Sequence, residues 1–134
     1  PECDFLPLHL PLTDQTRGLI GAEEIARMKQ SAMIINCARG GIVDEQALAS
    51  ALNEGRLAGA GVDCFAQDPP NADDPLLNAK NVIATPHSAA LTKEAMIRVQ
   101  KMCLEGCLTV LRGEKWPYVA DPKVYEHPLW QGKQ

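Results

Sequence analysis

The chain has 134 residues, 17 acidic and 13 basic, with a formal charge of −4; 46% are apolar and 22% charged. That length suits one domain with a core of its own, and that composition argues against a disordered chain. Basic residues are scattered, which argues against a nucleic-acid surface, and no apolar run approaches the roughly 18–20 residues of a membrane span.

The first residues, Pro1-Glu2-Cys3-Asp4, lack the basic and apolar regions of a signal peptide and an initiator Met, so a cut start is expected. Residues 3–10 (CDFLPLHL) read as a buried strand, weakened by Pro7, which removes one ladder donor. Thr13 to Thr16 is turn-like, and residues 21–28 have helical spacing, with Ile25 and Met28 on one face. Residues 31–38 (SAMIINCA) form a second strand whose continuous apolar run suits cover on both faces, as in a parallel sheet. After Arg39-Gly40-Gly41, Asp44 is the N-cap of a helix over residues 45–54, stopped by Gly55.

Residues 57–65 (LAGAGVDCF) are a third strand, with small side chains that allow close approach of a helix or ligand; a Pro- and Asp-rich loop follows. Residues 81–85 form a fourth strand, closed by Pro86. Thr92 starts a longer helix to about residue 112, with an apolar band through Ala95, Val99, Met102, Cys103, Leu104, Leu108 and Leu111. Residues 116–119 suggest a short edge strand, and residues 121–134 an extended tail. The order is that of an α/β domain with a mostly parallel sheet. Four strands are few for a doubly wound sheet, so part of the domain is expected to be missing. Five cysteines (Cys3, Cys37, Cys64, Cys103, Cys107) without CxxC spacing read as reduced, buried thiols of a cytoplasmic protein, not as a metal site or disulfide frame. Cys103 and Cys107, four apart, share a helix face by their spacing.

In an open parallel sheet, ligands gather beyond the carboxyl ends of the strands. There the sequence places Pro11-Leu12-Thr13, Arg39-Gly40-Gly41, Asp63 with Asp68 beyond it, and Pro86-His87-Ser88-Ala89-Ala90. Each has a plain alternative: His87 as a turn cap, Arg39 as a surface cation, Asp68 as a loop residue. Asp63, in an apolar strand, is harder to dismiss, because a buried carboxylate needs donors from backbone, a cation or a ligand amide. Together the groups suit carbonyl reduction. An arginine holds a substrate carboxylate by two hydrogen bonds, a histidine moves a proton at the carbonyl oxygen, and a carboxylate orients that histidine.

The segments LHLPLTDQTRGLI, MIINCARGGIVDEQALASAL, GRLAGAGVDCFAQDPP and NVIATPHSAALT resemble the D-isomer-specific 2-hydroxyacid dehydrogenases, over about residues 3–113. The resemblance implies a hydride transfer between NAD or NADP and a 2-hydroxy or 2-keto acid. It puts the substrate arginine on Arg39, the acid/base histidine on His87 and that histidine's carboxylate partner on Asp68, where the family usually has Glu. The shorter side chain, by about 1.5 Å, implies a loop shift or a water between Asp68 and His87. Cofactor contacts fall on Leu10, Pro11, Cys37, Ala38, Arg39, Asp63, His87, Ser88, Ala89 and Ala90, with Asp63 beside the nicotinamide carboxamide. Ser88-Ala89-Ala90 stands where many members place a glycine, with little effect expected.

The GxGxxG fingerprint and the acidic residue that reads the ribose are not among these 134 residues. The expected fold is therefore the second half of a Rossmann-like parallel sheet with flanking helices, then a long return helix and extended tail. Residues 1–113 would be the C-terminal portion of the NAD(P)-binding domain and 114–134 a tail belonging to the substrate domain. The chain is expected to be a fragment inactive alone, from a homo-oligomeric family. Two other readings use the same residues: a non-catalytic, corepressor-like dinucleotide-responsive protein, and a structural half-domain that dimerises through its open sheet edge.

Overall fold

The computed structural model describes residues 2–131, the side chain of Gln131 excepted. Pro1 and residues 132–134, on which the readings of the first residue and the end of the tail partly rest, lie outside them. Two compact units divide at Ala89 and Ala90.

In the first unit, β1 (Phe5–Leu8), β2 (Met33–Asn36), β3 (Gly59–Val62) and β4 (Val82–Ala84) form one parallel sheet in the order β1-β2-β3-β4. Helix α1 (Ala22–Ala26) connects β1 to β2, and α2 (Glu45–Asn53) connects β2 to β3. This is the Rossmann-like arrangement expected, and each strand is shorter than its apolar run. Pro7 is tolerated because β1 has a neighbour on one side only among the described residues.

The Asp44 carboxylate accepts the Ala47 N–H at 3.0 Å and so starts α2; Gly55, at φ +70°, ends it in the left-handed conformation that glycine adopts cheaply. Leu6, Ile34 and Ala60 stand side by side across the sheet, as do Leu8, Asn36 and Val62. Alternation puts both rows on one face. Leu8, Ile34, Ala60 and Val62 pack there in one core with Ile25 of α1 and Leu48 and Leu52 of α2. Each large apolar side chain so buried contributes about 1.5–3 kcal/mol.

Cover on both faces is not what the described residues show. Met33 is 39% and Ile83 74% exposed on the other face. The reason is topological: every strand-to-strand step runs the same way, and right-handed crossovers then stay on one side.

In the second unit, Thr92 caps α3 (Lys93–Leu111) by accepting the Ala95 N–H at 3.1 Å. No residue of α3 is buried. Residues 116–119 form no strand: the Trp116 N–H donates to the Tyr125 hydroxyl at 2.7 Å, and that hydroxyl donates to the Trp116 carbonyl at 2.8 Å. The tail is not extended throughout. Asp121 caps a 3₁₀ turn over Pro122–Glu126, and a short helix α4 (Pro128–Gln131) comes after it, each opening on a proline whose missing N–H costs nothing at a first turn. The compact units divide at Ala89–Ala90, whereas the sequence pattern puts a boundary after Gly113. Helix α3 groups with the residues C-terminal to it, and a Cβ on its Gly106 would stand 3.2 Å from the Trp116 indole. Only Cys64 is a buried thiol; Cys3, Cys37, Cys103 and Cys107 are free but exposed.

Candidate active site

Because all four strands are parallel, their carboxyl ends share one edge of the sheet. Arg39 follows β2, Asp63 follows β3 directly with Asp68 beyond it, and His87 follows β4. A cleft of about 580 Å³ opens past β1 and β2, lined by His9, Leu10, Pro11, Leu12, Cys37, Ala38 and Arg39. Its size falls within the ordinary range of small-molecule sites.

His87 and Asp68 meet directly, Nδ1 to Oδ2 at 2.5 Å, with both side chains partly exposed. The 65–70 loop already brings the shorter carboxylate to the ring, so neither a loop shift nor a bridging water is needed. Contact at Nδ1 leaves Nε2 as the nitrogen available to another molecule.

His87 has φ +51°, a left-handed conformation unusual for a residue with a side chain. Asp63, buried at the end of β3, holds the turn in that shape. Its Oδ1 accepts the Thr85 hydroxyl at 2.5 Å and the Ser88 N–H at 2.8 Å, and its Oδ2 accepts the Ala89 N–H at 3.0 Å. Burial pushes the Asp63 carboxyl upward, but these three donors and the nearby His87 outweigh it, so its pKa lies below the usual value. The chain's own donors thus account for a carboxylate in an apolar strand, and Oδ2 keeps room for one more.

Two further side chains support the loops, and the sequence reading missed both. Buried Asn36, the last residue of β2, accepts the Ala38 N–H at 3.2 Å and donates to the Arg39 carbonyl at 2.9 Å. Its signal was an asparagine at a strand end two residues before the turn it braces. Glu45, on the first turn of α2, accepts the Ala66 N–H at 2.6 Å, a contact spanning 21 residues that no local pattern announces. The Arg39 guanidinium donates to the Ala38 carbonyl at 2.6 Å and is otherwise exposed. Cys64 donates to the same carbonyl at 3.6 Å. Burial first, then Asp63, Cys37 and Asp68, raise its thiol against the opposing pull of Arg39, so it stays protonated.

Of the other expected residues, Leu10, Pro11, Cys37 and Ala38 line the cleft with Arg39, and Ser88 and Ala89 are tied to Asp63. Ala90 opens the second unit. The space beside Gly40 is taken by the Phe65–Ala66 peptide. Among the described residues no cluster of three metal-binding side chains occurs, and no helix is long and apolar enough to cross a membrane.

A model of the D-isomer specific 2-hydroxyacid dehydrogenase family, NAD binding domain, matches residues 1–89. The chain belongs to that family. It is 51% identical over 113 residues to a D-3-phosphoglycerate dehydrogenase of Methanocaldococcus jannaschii, across 84% of this chain and 21% of that protein. A D-isomer specific 2-hydroxyacid dehydrogenase of Lactobacillus delbrueckii ssp. bulgaricus, solved with NAD, superposes with a TM-score of 0.80 at 36% identity, over 89% of this chain and 40% of that one. One from Xanthobacter autotrophicus Py2, solved with NADPH and MES, superposes at 0.74 and 36% identity, over 90% and 49%. The chain therefore spans less than half the length of each, and the part of the family that it matches is the NAD-binding domain.

Proposed function

We propose that Arg39, His87 and Asp68 form the catalytic part of a site that interconverts a 2-keto acid and a 2-hydroxy acid with NAD or NADP. What carries the reading is the His87–Asp68 contact at 2.5 Å, on the sheet edge that also bears Arg39. The cleft suits the nicotinamide end: Leu10, Pro11, Leu12 and Ala38 give it apolar walls, and Arg39 gives it a cation. A cofactor bound there supplies or accepts the hydride. Arg39 binds the substrate carboxylate through its fork of donors, once turned from the Ala38 carbonyl. His87 Nε2 gives a proton to the carbonyl oxygen in reduction and removes it in oxidation. Asp68 fixes the ring through Nδ1 and stabilises the imidazolium. Asp63, Ser88 and Ala89 hold the turn that aims the ring, and the free position on Oδ2 suits the carboxamide.

The 134 residues carry no phosphate-binding glycine fingerprint, so the chain by itself should reduce no 2-keto acid. Residues 114–134 would belong to a substrate domain, in a cytoplasmic homo-oligomer. Sedimentation of the hybrid described below tests the assembly. The decisive experiment joins this chain to the preceding residues of the M. jannaschii relative and follows cofactor absorbance with a 2-keto acid. We expect turnover in the hybrid, a loss of about 10²–10⁴-fold in kcat for His87→Ala, and mainly a raised KM for Arg39→Ala. A hybrid that keeps its rate after His87→Ala would exclude the assigned role.

A further inference from the structure

One peptide bond, Phe65–Ala66, is gripped from two sides. Its N–H donates to Glu45 Oε1 at 2.6 Å. Against it lies the backbone of Gly40: a Cβ added there would stand 2.0 Å from the Phe65 carbonyl carbon and oxygen and 2.4 Å from the Ala66 nitrogen. Real Cβ atoms essentially never come within 3.0 Å of such neighbours, so position 40 admits only glycine without a backbone shift. Gly40 directly follows Arg39, and Ala66 precedes Asp68 by two residues. The two loops therefore bear on the same peptide.

We infer that Glu45 is a positioning residue: by holding Ala66 it fixes the spacing between the Arg39 loop and the Asp68–His87 pair. Its backbone is a firm anchor, because Leu48, Ala49, Ala51 and Leu52 of the same helix are buried in the core. Burial pushes the Glu45 carboxyl upward, the Ala66 N–H pulls it back, and Asp74 and Asp44 add to the rise. The net rise marks a carboxylate drawn partly out of water, as one committed to a protein donor would be. The word positioning rests on the proposed reaction; the clamp itself does not.

The 134-residue chain tests the clamp without substrate or cofactor, by amide exchange at Ala66 and by nitrogen NMR signals of the His87 ring and the Arg39 and Gly40 amides. Glu45→Ala should speed Ala66 exchange about tenfold or more, since a hydrogen bond to a charged group is lost. The His87 ring and Arg39 signals should move with it. Faster exchange with both sets unmoved overturns the positioning role, and unchanged exchange overturns the clamp. Should Glu45→Ala fail to fold, Glu45→Met, of similar length but without an acceptor oxygen, carries the test. Faster Ala66 exchange with a displaced His87 signal supports the inference, and no change in either overturns it. Gly40→Ala approaches the same peptide from the other side and should move the His87 signal with Glu45 intact; an unmoved signal overturns the coupling. A hybrid enzyme without turnover would sink the proposed reaction and leave these signals, and so the clamp, standing.

Discussion

The Arg39 turn and the His87 turn leave the same sheet edge, and each is braced by one buried polar side chain, but the braces differ in kind. Asn36 is a neutral amide that reaches only two and three residues ahead, to the Ala38 N–H and the Arg39 carbonyl. Asp63 is a carboxylate that gathers three donors from 22 to 26 residues away, across the β3–β4 step. A local brace shapes its turn as soon as the strand ends. A distant one works only after the strands have paired, and it can hold His87 at a strained positive φ because charge-assisted bonds are about twice as strong as neutral ones. The brace on the guanidinium side is thus one of local geometry, and that on the imidazole side one of charge.

The comparison breaks most sharply at Asp63. Asp63→Asn keeps the shape but replaces one acceptor oxygen with an N–H₂ facing either two donors or the Ala89 N–H. It should cost about 2–4 kcal/mol in urea unfolding and release the His87 turn, seen as lost exchange protection at Ser88 and Ala89. The Ala38 amide should stay protected. Equal loosening of both turns would mean that the braces are not separate. Asn36→Ala is the counterpart, with a smaller effect. It removes one acceptor and one donor, should cost about 1–3 kcal/mol, and should loosen Ala38 while Ser88 and Ala89 hold.

This division between near and far also governs what could be read in the sequence. The caps at Asp44 and Thr92 and the stop at Gly55 act within one turn, and they are legible as written. Strands showed as apolar runs, because burial on a sheet needs nothing more specific. Which faces stay open was not legible: Met33 reads like Ile34, and only the direction of the crossovers separates them. Likewise the apolar band of α3 predicted the helix but not its exposure. At the site, Arg39, His87 and Asp63 stood out as polar residues after apolar strands. Glu45 did not, since an acidic first turn is ordinary in a helix, and its contact depends on where a loop 21 residues on returns. The tail's turns depend on Tyr125 reaching back to Trp116, another contact outside any window of periodicity.

The finest division of the two braces comes from acid and from Thr85. Asp63 has a folded pKa below its usual value, so its stabilisation is fully present above the unfolded carboxylate pKa of about 3.9 and is lost as pH falls through the lower folded value. Asn36 does not titrate, so acid should loosen Ser88 and Ala89 before Ala38. Glu45 has the opposite sign: its raised pKa means that protonation on acidification relieves a cost. Global acid unfolding therefore mixes the two, and the amides near each brace must be followed separately. Thr85→Val removes one of the three donors to Asp63 and leaves both backbone amides in place, a loss of about 1 kcal/mol. With less to oppose its burial, the Asp63 carboxylate should take up a proton at a higher pH than in the parent chain. Ser88 and Ala89 should then lose protection at that higher pH, while Ala38 keeps its parent profile. If Ser88 and Ala89 follow the same acid profile with and without the Thr85 hydroxyl, the two amides alone hold the carboxylate, and the contrast with Asn36 narrows to one of distance.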